Sequence, residues 1–226
     1  MKIHRFYTPD LELEAELWLN IPELLHQWTK VLRFRAGQQI VLFDGVKRDR
    51  LYRITKISSK EAHLEMITDY QRQLPKREIY LFWSLLKKDK NDWVLQKCTE
   101  LGVSHFIPII ADRSEKTGFN VERAEKIVIE AAEQCGRSDI PLVRDSMHVK
   151  NALEQYQGKL DLYVCEQNSE GDQKIDKKAG VLIGPEGGWS DEEKELFEQL
   201  NIKHLNLHDF TLRAETAAVA SIAKIC

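Results

Sequence analysis

Val181-Leu-Ile-Gly-Pro-Glu-Gly-Gly-Trp-Ser190 is the stretch against which the rest of the chain is read. Val181 to Ile183 is a short apolar run with β-branched ends, the pattern of a buried strand. Gly184, Pro185, Gly187 and Gly188 crowd into the next five positions, so the backbone turns sharply and lies open to whatever approaches. Ser190 with Glu193 forms a capping box, and Asp191 and Glu192 add negative charge to the same first helical turn. The unit is strand, glycine loop, helix. In an open α/β sheet a ligand sits there, outside the carboxyl end of a strand.

The spacing matches neither GxGxxG nor GxxxxGK[ST], so the dinucleotide fingerprint and the P-loop are both absent. Carboxylates at the positive end of the helix dipole repel phosphate. The loop therefore suits a ligand with few or no phosphates, read through backbone N–H and C=O groups. A tight structural turn with no ligand is the alternative, and spacing alone does not separate the two.

Working outward, the chain of 226 residues has room for one large or two modest domains. Hydrophobic content of 42% and charged content of 31% place it among globular proteins rather than disordered ones. No apolar run reaches the roughly 18 residues that cross a membrane. The N-terminus lacks the apolar core of a signal peptide. Cys98, Cys135, Cys165 and Cys226 are widely spaced with no CxxC pair, which suits a reducing compartment. The expected location is the cytoplasm. A net charge of −3 does not announce nucleic-acid binding, although a local basic face remains compatible with it.

Residues 1–70 read as a small β-barrel. A short helix over 22–33 presents Leu25, Trp28 and Leu32 on one face. Strands are expected at Gln39–Phe43, Arg50–Ile57 and Ala62–Ile67, with Asp44-Gly45 as a turn. The segment Lys47–Lys56 holds Lys47, Arg48, Arg50 and Arg53 around Tyr52. Such a hairpin can follow a nucleic-acid backbone and stack a base, or it can be a solvated strand face. The polar stretch 71–77 reads as a linker. From 78 to 226 strands and helices alternate, which argues a parallel α/β sheet. Strands fall at 78–84, 103–110, 160–166, 181–184 and 204–207. Helices fall at 91–101, 121–135 and 214–225.

Several polar groups follow strands of that sheet. Lys87, Lys88 and Lys90 open the first of its helices, and Lys97 lies further along it. Arg113 and Ser114 follow the second strand. Gln134 and Arg137 flank a helix C-terminus. Arg213 and Glu215 join the last strand to the last helix, where a loop-borne Arg can stabilise charge in a site. Zinc-ligand spacing, HExxH, the zinc-deaminase signature and the GxSxG elbow are all missing, so no metal is expected. The seven histidines are scattered.

Taken in order, these blocks resemble the RsmE family, the small-subunit (16S) ribosomal RNA uracil-N3 methyltransferases of the SPOUT class. His26-Gln-Trp-Thr-Lys-Val-Leu-Arg33 with Phe43-Asp-Gly45 looks like the family's PUA-like RNA-binding barrel. Lys88-Asp-Lys90, Trp93, Gln96-Lys97 and Glu100-Leu-Gly102 resemble its first conserved helix. Arg113-Ser114, Glu130–Gln134 with Gly136-Arg137, Ile183–Gly188 and Leu212–Ala217 resemble the remaining blocks. The resemblance implies a C-terminal deep trefoil knot, S-adenosylmethionine as cofactor, 16S rRNA as partner and a homodimer. The expected cofactor contacts come from three loops: Cys165 in the first; Ile183, Gly184, Pro185, Glu186, Gly187 and Gly188 in the second; Leu205, Leu207 and Leu212, with Thr216 beyond them, in the third. Arg213 is the first candidate for stabilising the uracil anion, Arg113 the second, and Glu215 the candidate proton acceptor. RNA contacts are expected from the barrel hairpin, from Lys87, Lys88, Lys90 and Lys97, and from Arg137. The last motif departs from the family. His208 stands where glycine is usual, so the cofactor turn is expected to change shape, and Phe210 stands where arginine is usual. Two rivals share the pattern: a non-catalytic RNA-binding assembly protein, and a related methyltransferase acting at another RNA position.

Overall fold

The computed structural model describes residues 3–166 and 175–226. The chain divides into two compact units, Met1–Leu74 with Ala132–Ile140, and Pro75–Ala131 with Pro141–Cys226.

The first unit is built on five strands. They are β1 (His4–Tyr7), β2 (Glu16–Leu19), β3 (Gln39–Phe43), β4 (Asp49–Ile57) and β5 (Ala62–Asp69), in the order β1-β3-β4-β5-β2. Only the β1–β3 pair is parallel. Between β3 and β4 the Asp44 carboxylate accepts from the N–H groups of Val46, Lys47 and Arg48 at 2.7–3.0 Å, which closes the turn that Asp-Gly predicts. The expected helix over 22–33 forms in two pieces. Helix α1 (Pro22–His26) gives way to a π-helical turn over Gln27–Val31, where the Leu32 N–H donates to the Gln27 carbonyl at 2.9 Å. Trp28 is buried there beside Phe6 and Phe34.

This unit also buries charge. Arg5 pairs with Asp49, and Arg72 approaches the same carboxylate at 3.4 Å. Ser138 donates to Asp49, and Arg137 pairs with Asp139 at 2.7 Å. Within the polar stretch 71–77, Arg72 donates to the Ser138 carbonyl and Gln73 to the Ser138 hydroxyl.

The second unit is a seven-stranded parallel sheet with helices. In chain order its elements are β6 (Glu78–Ser84), α2 (Lys88–Glu100), β7 (His105–Ile110), α3 (Val121–Cys135, whose last four residues belong to the first unit), β8 (Leu142–Val143), β9 (Met147–His148) and α4 (Val149–Tyr156). Then follow β10 (Asp161–Cys165), β11 (Lys178–Ile183), α5 (Asp191–Gln199), β12 (Lys203–Leu205) and α6 (Ala214–Ile225). The strand order is β12-β10-β11-β6-β7-β8, with β9 also on β7. The central strands β6 and β11 are buried almost throughout, which is why they read as continuous apolar runs rather than alternating ones. Helix α2 begins three residues before Asn91. Asn91 therefore lies within the helix, and it turns its side chain back. Its amide bonds both backbone groups of Leu86 and accepts from the Trp83 indole at 2.9 Å, fixing the β6–α2 connection. Helix α6 packs on α2 and β11.

Candidate active site

Parallel pairing sets the strand ends level. Cys165 lies opposite Leu205, and Val164 opposite Leu182, so β10, β11 and β12 finish side by side. The segments leaving them are Glu166, the Gly184–Trp189 loop and the stretch 206–213. Together with Arg113 from the β7–α3 loop they line a cavity of about 790 Å³. That volume suits a single small-molecule ligand. The loop following Cys165 is described only as far as Glu166, because 167–174 lie outside the described residues.

The glycine loop is held from below. Trp189 is buried and meets Phe197 edge to face at 5.0 Å. A Cβ on Gly184 would sit 3.0 Å from the Trp189 ring, so the strand end passes close to the indole and a side chain there would make the ring shift by a few tenths of an ångström. The Gly188 N–H closes a turn onto the Pro185 carbonyl at 2.9 Å, with φ at +70°, a conformation glycine adopts without cost. The capping box is complete. The Glu193 N–H donates to Ser190 Oγ at 3.1 Å, and the Ser190 N–H to the Glu193 carboxylate at 2.8 Å. The other Glu193 oxygen accepts from the Asp112 N–H at 3.0 Å, while Ser190 Oγ donates to Asp112 at 2.6 Å. Buried Glu193 thus ties two of the cavity's walls together, a role its spacing from Ser190 does not announce. Arg113 Nη1 donates to the Gly187 carbonyl at 3.3 Å across the same seam.

Of the residues expected to hold a cofactor, Cys165, Ile183, Gly184, Pro185, Glu186, Gly187, Gly188, Leu207 and Leu212 line the cavity. Leu205 and Thr216 do not. Leu205 is packed into the core at the end of β12, and Thr216 is exposed on α6. Burial pushes the Cys165 thiol up, so the sulfur stays protonated and apolar. Arg113 and Arg213 line the cavity and both are exposed. Glu215 does not line it. Its carboxylate takes Lys90 Nζ at 3.2 Å, and the same ammonium reaches Glu186 at 3.3 Å. Those bonds, Glu215 first, raise the Lys90 pKa. A proton-accepting role for Glu215 thus has to contend with an ammonium already on it.

The expected RNA contacts divide. Lys47, Arg48 and Arg53 are exposed on the hairpin of the first unit. Arg50 is engaged by Asp69 and the Leu13 carbonyl. Tyr52 cannot stack a base, because its ring is fully buried and its hydroxyl donates to the Glu14 carbonyl at 2.7 Å. Arg137 is likewise withdrawn, buried and paired with Asp139. In the second unit Lys87 and Lys88 are exposed, Lys97 pairs with Glu100 at 2.9 Å, and Lys90 holds its two carboxylates. Among the described residues only Arg33 and Asn201 carry a side chain at positive φ, so His208 occupies ordinary backbone space.

The cavity's chemistry can be tested against a methyl donor. Its apolar wall includes Ile183, Pro185, Trp189, Leu207, Leu212 and Ala217, with backbone polar groups along the glycine loop and the carboxylates Glu166 and Glu186. The first turn of the adjoining α5 is acidic. The glycine loop and the acidic helix start beside it disfavour phosphate and accept an adenosyl group bearing a sulfonium, while Arg113, Lys194 and Arg213 add positive charge elsewhere on the wall.

A parallel sheet with level strand ends, a glycine loop capped by an acidic helix and a C-terminal helix returning to the sheet centre fit a SPOUT-class domain, the class to which the solved structures similar to this chain belong. Residues 72–226 match the family described as RNA methyltransferase domain, and residues 29–67 match the RNA methyltransferase PUA domain. The Ribosomal RNA small subunit methyltransferase E of Helicobacter pylori is 31% identical over 227 residues, covering 96% of this chain and 95% of the relative. The crystal structure of the protein of that name from Neisseria gonorrhoeae, bound to S-adenosyl methionine, superposes with a TM-score of 0.87 at 28% identity. It covers 98% of this chain and 96% of that one. A methyltransferase from Legionella pneumophila, solved with bound SAM, gives 0.85 at 26% identity, with 100% and 97% covered. The chain belongs to the RsmE family of RNA methyltransferases.

Proposed function

We propose that the protein methylates N3 of a specific uridine in 16S ribosomal RNA, using S-adenosylmethionine. The observation that carries this reading is the cavity where β10, β11 and β12 end level, with a phosphate-averse glycine loop inside and two arginines at its wall. S-adenosylmethionine supplies the methyl group when bound. The glycine loop, Cys165, Leu207 and Leu212 hold it, with Leu205 acting from beneath the strand end. Thr216 lies outside the cavity wall and contributes at most to the start of α6.

Attack by N3 requires that nitrogen to give up a proton, leaving negative charge on the uracil. Arg213, at the N-cap of α6, stabilises that charge, and Arg113, anchored on Gly187, supplies the second positive group. Reaction needs the two atoms held about 3–3.5 Å apart and aligned, which is why a loop anchored by Trp189 and Glu193 matters. Glu215 is the proton acceptor, directly or through water, once the RNA draws Lys90 away. The base has to leave its stack to reach the cavity.

In this reading residues 1–70 form the RNA-binding barrel, 71–77 the linker and 78–226 the catalytic domain, whose C-terminus is threaded as a trefoil knot. The return of α6 from the edge strand β12 to β11 supports that threading. The protein works as a homodimer in the cytoplasm, where its substrate is assembled. Lys47, Arg48, Arg53, Lys87 and Lys88 contact RNA phosphates. The decisive experiment maps modified bases in 16S rRNA by mass spectrometry, with and without the gene. Loss of a single N3-methyluridine on deletion is expected, and an unchanged modification map refutes the proposal. Arg213→Ala is expected to abolish methyl transfer while S-adenosylmethionine still binds in calorimetry. Wild-type methylation by that variant would remove Arg213 from the chemistry.

A further inference from the structure

Phe210 is the most exposed of the large apolar residues described, at 74%, and it sits on the wall of the 790 Å³ cavity. The His208 ring stacks on the phenyl ring with centroids 5.2 Å apart and planes 28° from parallel. The Phe210 N–H donates to His208 Nδ1 at 3.1 Å, so the imidazole fixes the backbone that carries the phenyl ring. The stacking and the hydrogen bond join the two residues, and most of the phenyl surface still faces solvent.

An exposed aromatic ring on the wall of a cavity offers its π face to a flat partner. Phenylalanine has no polar handle, so recognition there is by stacking and hydrophobic contact, indifferent to hydrogen-bonding edges. Arg113 and Arg213 line the same cavity and supply positive charge for an approaching phosphodiester strand. Because Phe210 is so exposed, it meets the nucleotide outside the cavity rather than the one within. We propose that the His208–Phe210 pair is a stacking platform for the nucleobase adjoining the methyl-accepting uridine, and that it sets how tightly the RNA engages. This rests on the reading of the cavity as an RNA uridine methyltransferase site.

The test uses the full-length protein, S-adenosylmethionine and small ribosomal subunits purified from cells lacking this activity. Wild type is compared with Phe210→Ala, Phe210→Leu and Phe210→Tyr. Loss of one base–aromatic stack is expected to raise KM for the subunits about tenfold in the Ala and Leu variants, with kcat nearly retained. Phe210→Tyr keeps the π face and is expected to behave as wild type. S-adenosylmethionine affinity in calorimetry, and the sedimentation coefficient, are expected to match wild type in all three.

Three results overturn the platform: an unchanged KM in Phe210→Ala, a leucine variant as good as wild type, or a loss confined to cofactor affinity or to oligomeric state. A loss confined to cofactor affinity would make Phe210 a cofactor cover, and one confined to oligomeric state a subunit contact. A wild-type protein that methylates no uridine in these subunits overturns the underlying reading, a different result from a working enzyme insensitive to Phe210.

Discussion

Replacing Glu193 by alanine tests how the glycine loop is held. In the native protein that carboxylate, buried to 95%, accepts from the Asp112 N–H at 3.0 Å and the Ser190 N–H at 2.8 Å. Alanine leaves both donors without their acceptor, the Ser190 N–H in a buried setting and the Asp112 N–H in a half-buried one. Each costs about 1–3 kcal/mol unless water reaches it, and loosening the helix cap adds about 0.5–2 kcal/mol. Partial hydration offsets some of this, so a net loss of about 2–4 kcal/mol is expected. For a domain of this size that lowers the melting temperature by roughly 5–12 °C. Glu193→Gln retains one acceptor oxygen but turns an NH₂ toward the other donor, so it is expected to recover less than half of the loss. The measurements are thermal melts by circular dichroism and S-adenosylmethionine titration by calorimetry. Weaker cofactor binding at a temperature where the variant remains folded would show that Glu193 positions the loop as well as stabilising it. A melting temperature within 1 °C of wild type in Glu193→Ala would refute the account of the seam.

Other outcomes follow from the same contacts. Lys90→Met removes the ammonium shared by Glu186 and Glu215. The Lys90 side chain is only partly buried, so the melting point is expected to stay near wild type; freeing Glu186 is expected to weaken cofactor affinity several-fold, while Glu215, freed to accept the proton, is expected to keep or raise kcat, and unchanged cofactor affinity would show the bridge to be incidental. Tyr52→Phe loses one hydrogen bond, costing about 1 kcal/mol in urea unfolding, and is expected to bind RNA as wild type does; weakened RNA binding would mean that the ring leaves its core position. Acidification is expected to destabilise the sheet domain. Burial, opposed by Glu78, lowers the His105 pKa, and the Tyr80 hydroxyl leads the contacts that lower the Glu78 pKa. Both groups hold fewer protons folded than unfolded. Their contributions are complete above pH 6.5 for the imidazole and 4.5 for the carboxylate, and each is lost as pH falls through the lower folded value. Melting temperatures measured from pH 7 to 4 should fall, and Glu78→Gln should flatten the lower part of that slope.

How much of this was legible in the sequence differs from residue to residue. The capping box is local: Ser190 and Glu193 are three residues apart, and their mutual bonds follow from helix geometry alone. The same holds for α3 and α6, whose bounds match the apolar spacing, and for the Asp44 turn. Helix α4 also carries that spacing, with Val149, Ala152, Leu153 and Tyr156 buried, but eight residues beside two very short strands give a weak signal. Tyr52 shows where local reading fails. Basic neighbours suggest an exposed aromatic, yet Tyr52 shares its strand face with buried Ile54, and a register shift beside it turns that face inward. Phe210 shows the reverse, an aromatic residue that the fold leaves in water.

By itself the sequence determined the strand–glycine loop–helix unit, the aversion to phosphate and the family, because these rest on short-range spacing and on blocks in order. Tertiary structure alone decided which groups meet. Lys90 reaches Glu215, Glu193 reaches Asp112, Arg5 reaches Asp49 and Phe210 stands at the cavity mouth. Most of these partners are tens of residues apart or more, and strand register sets their distance. Register follows from how whole faces are buried, which no local pattern encodes.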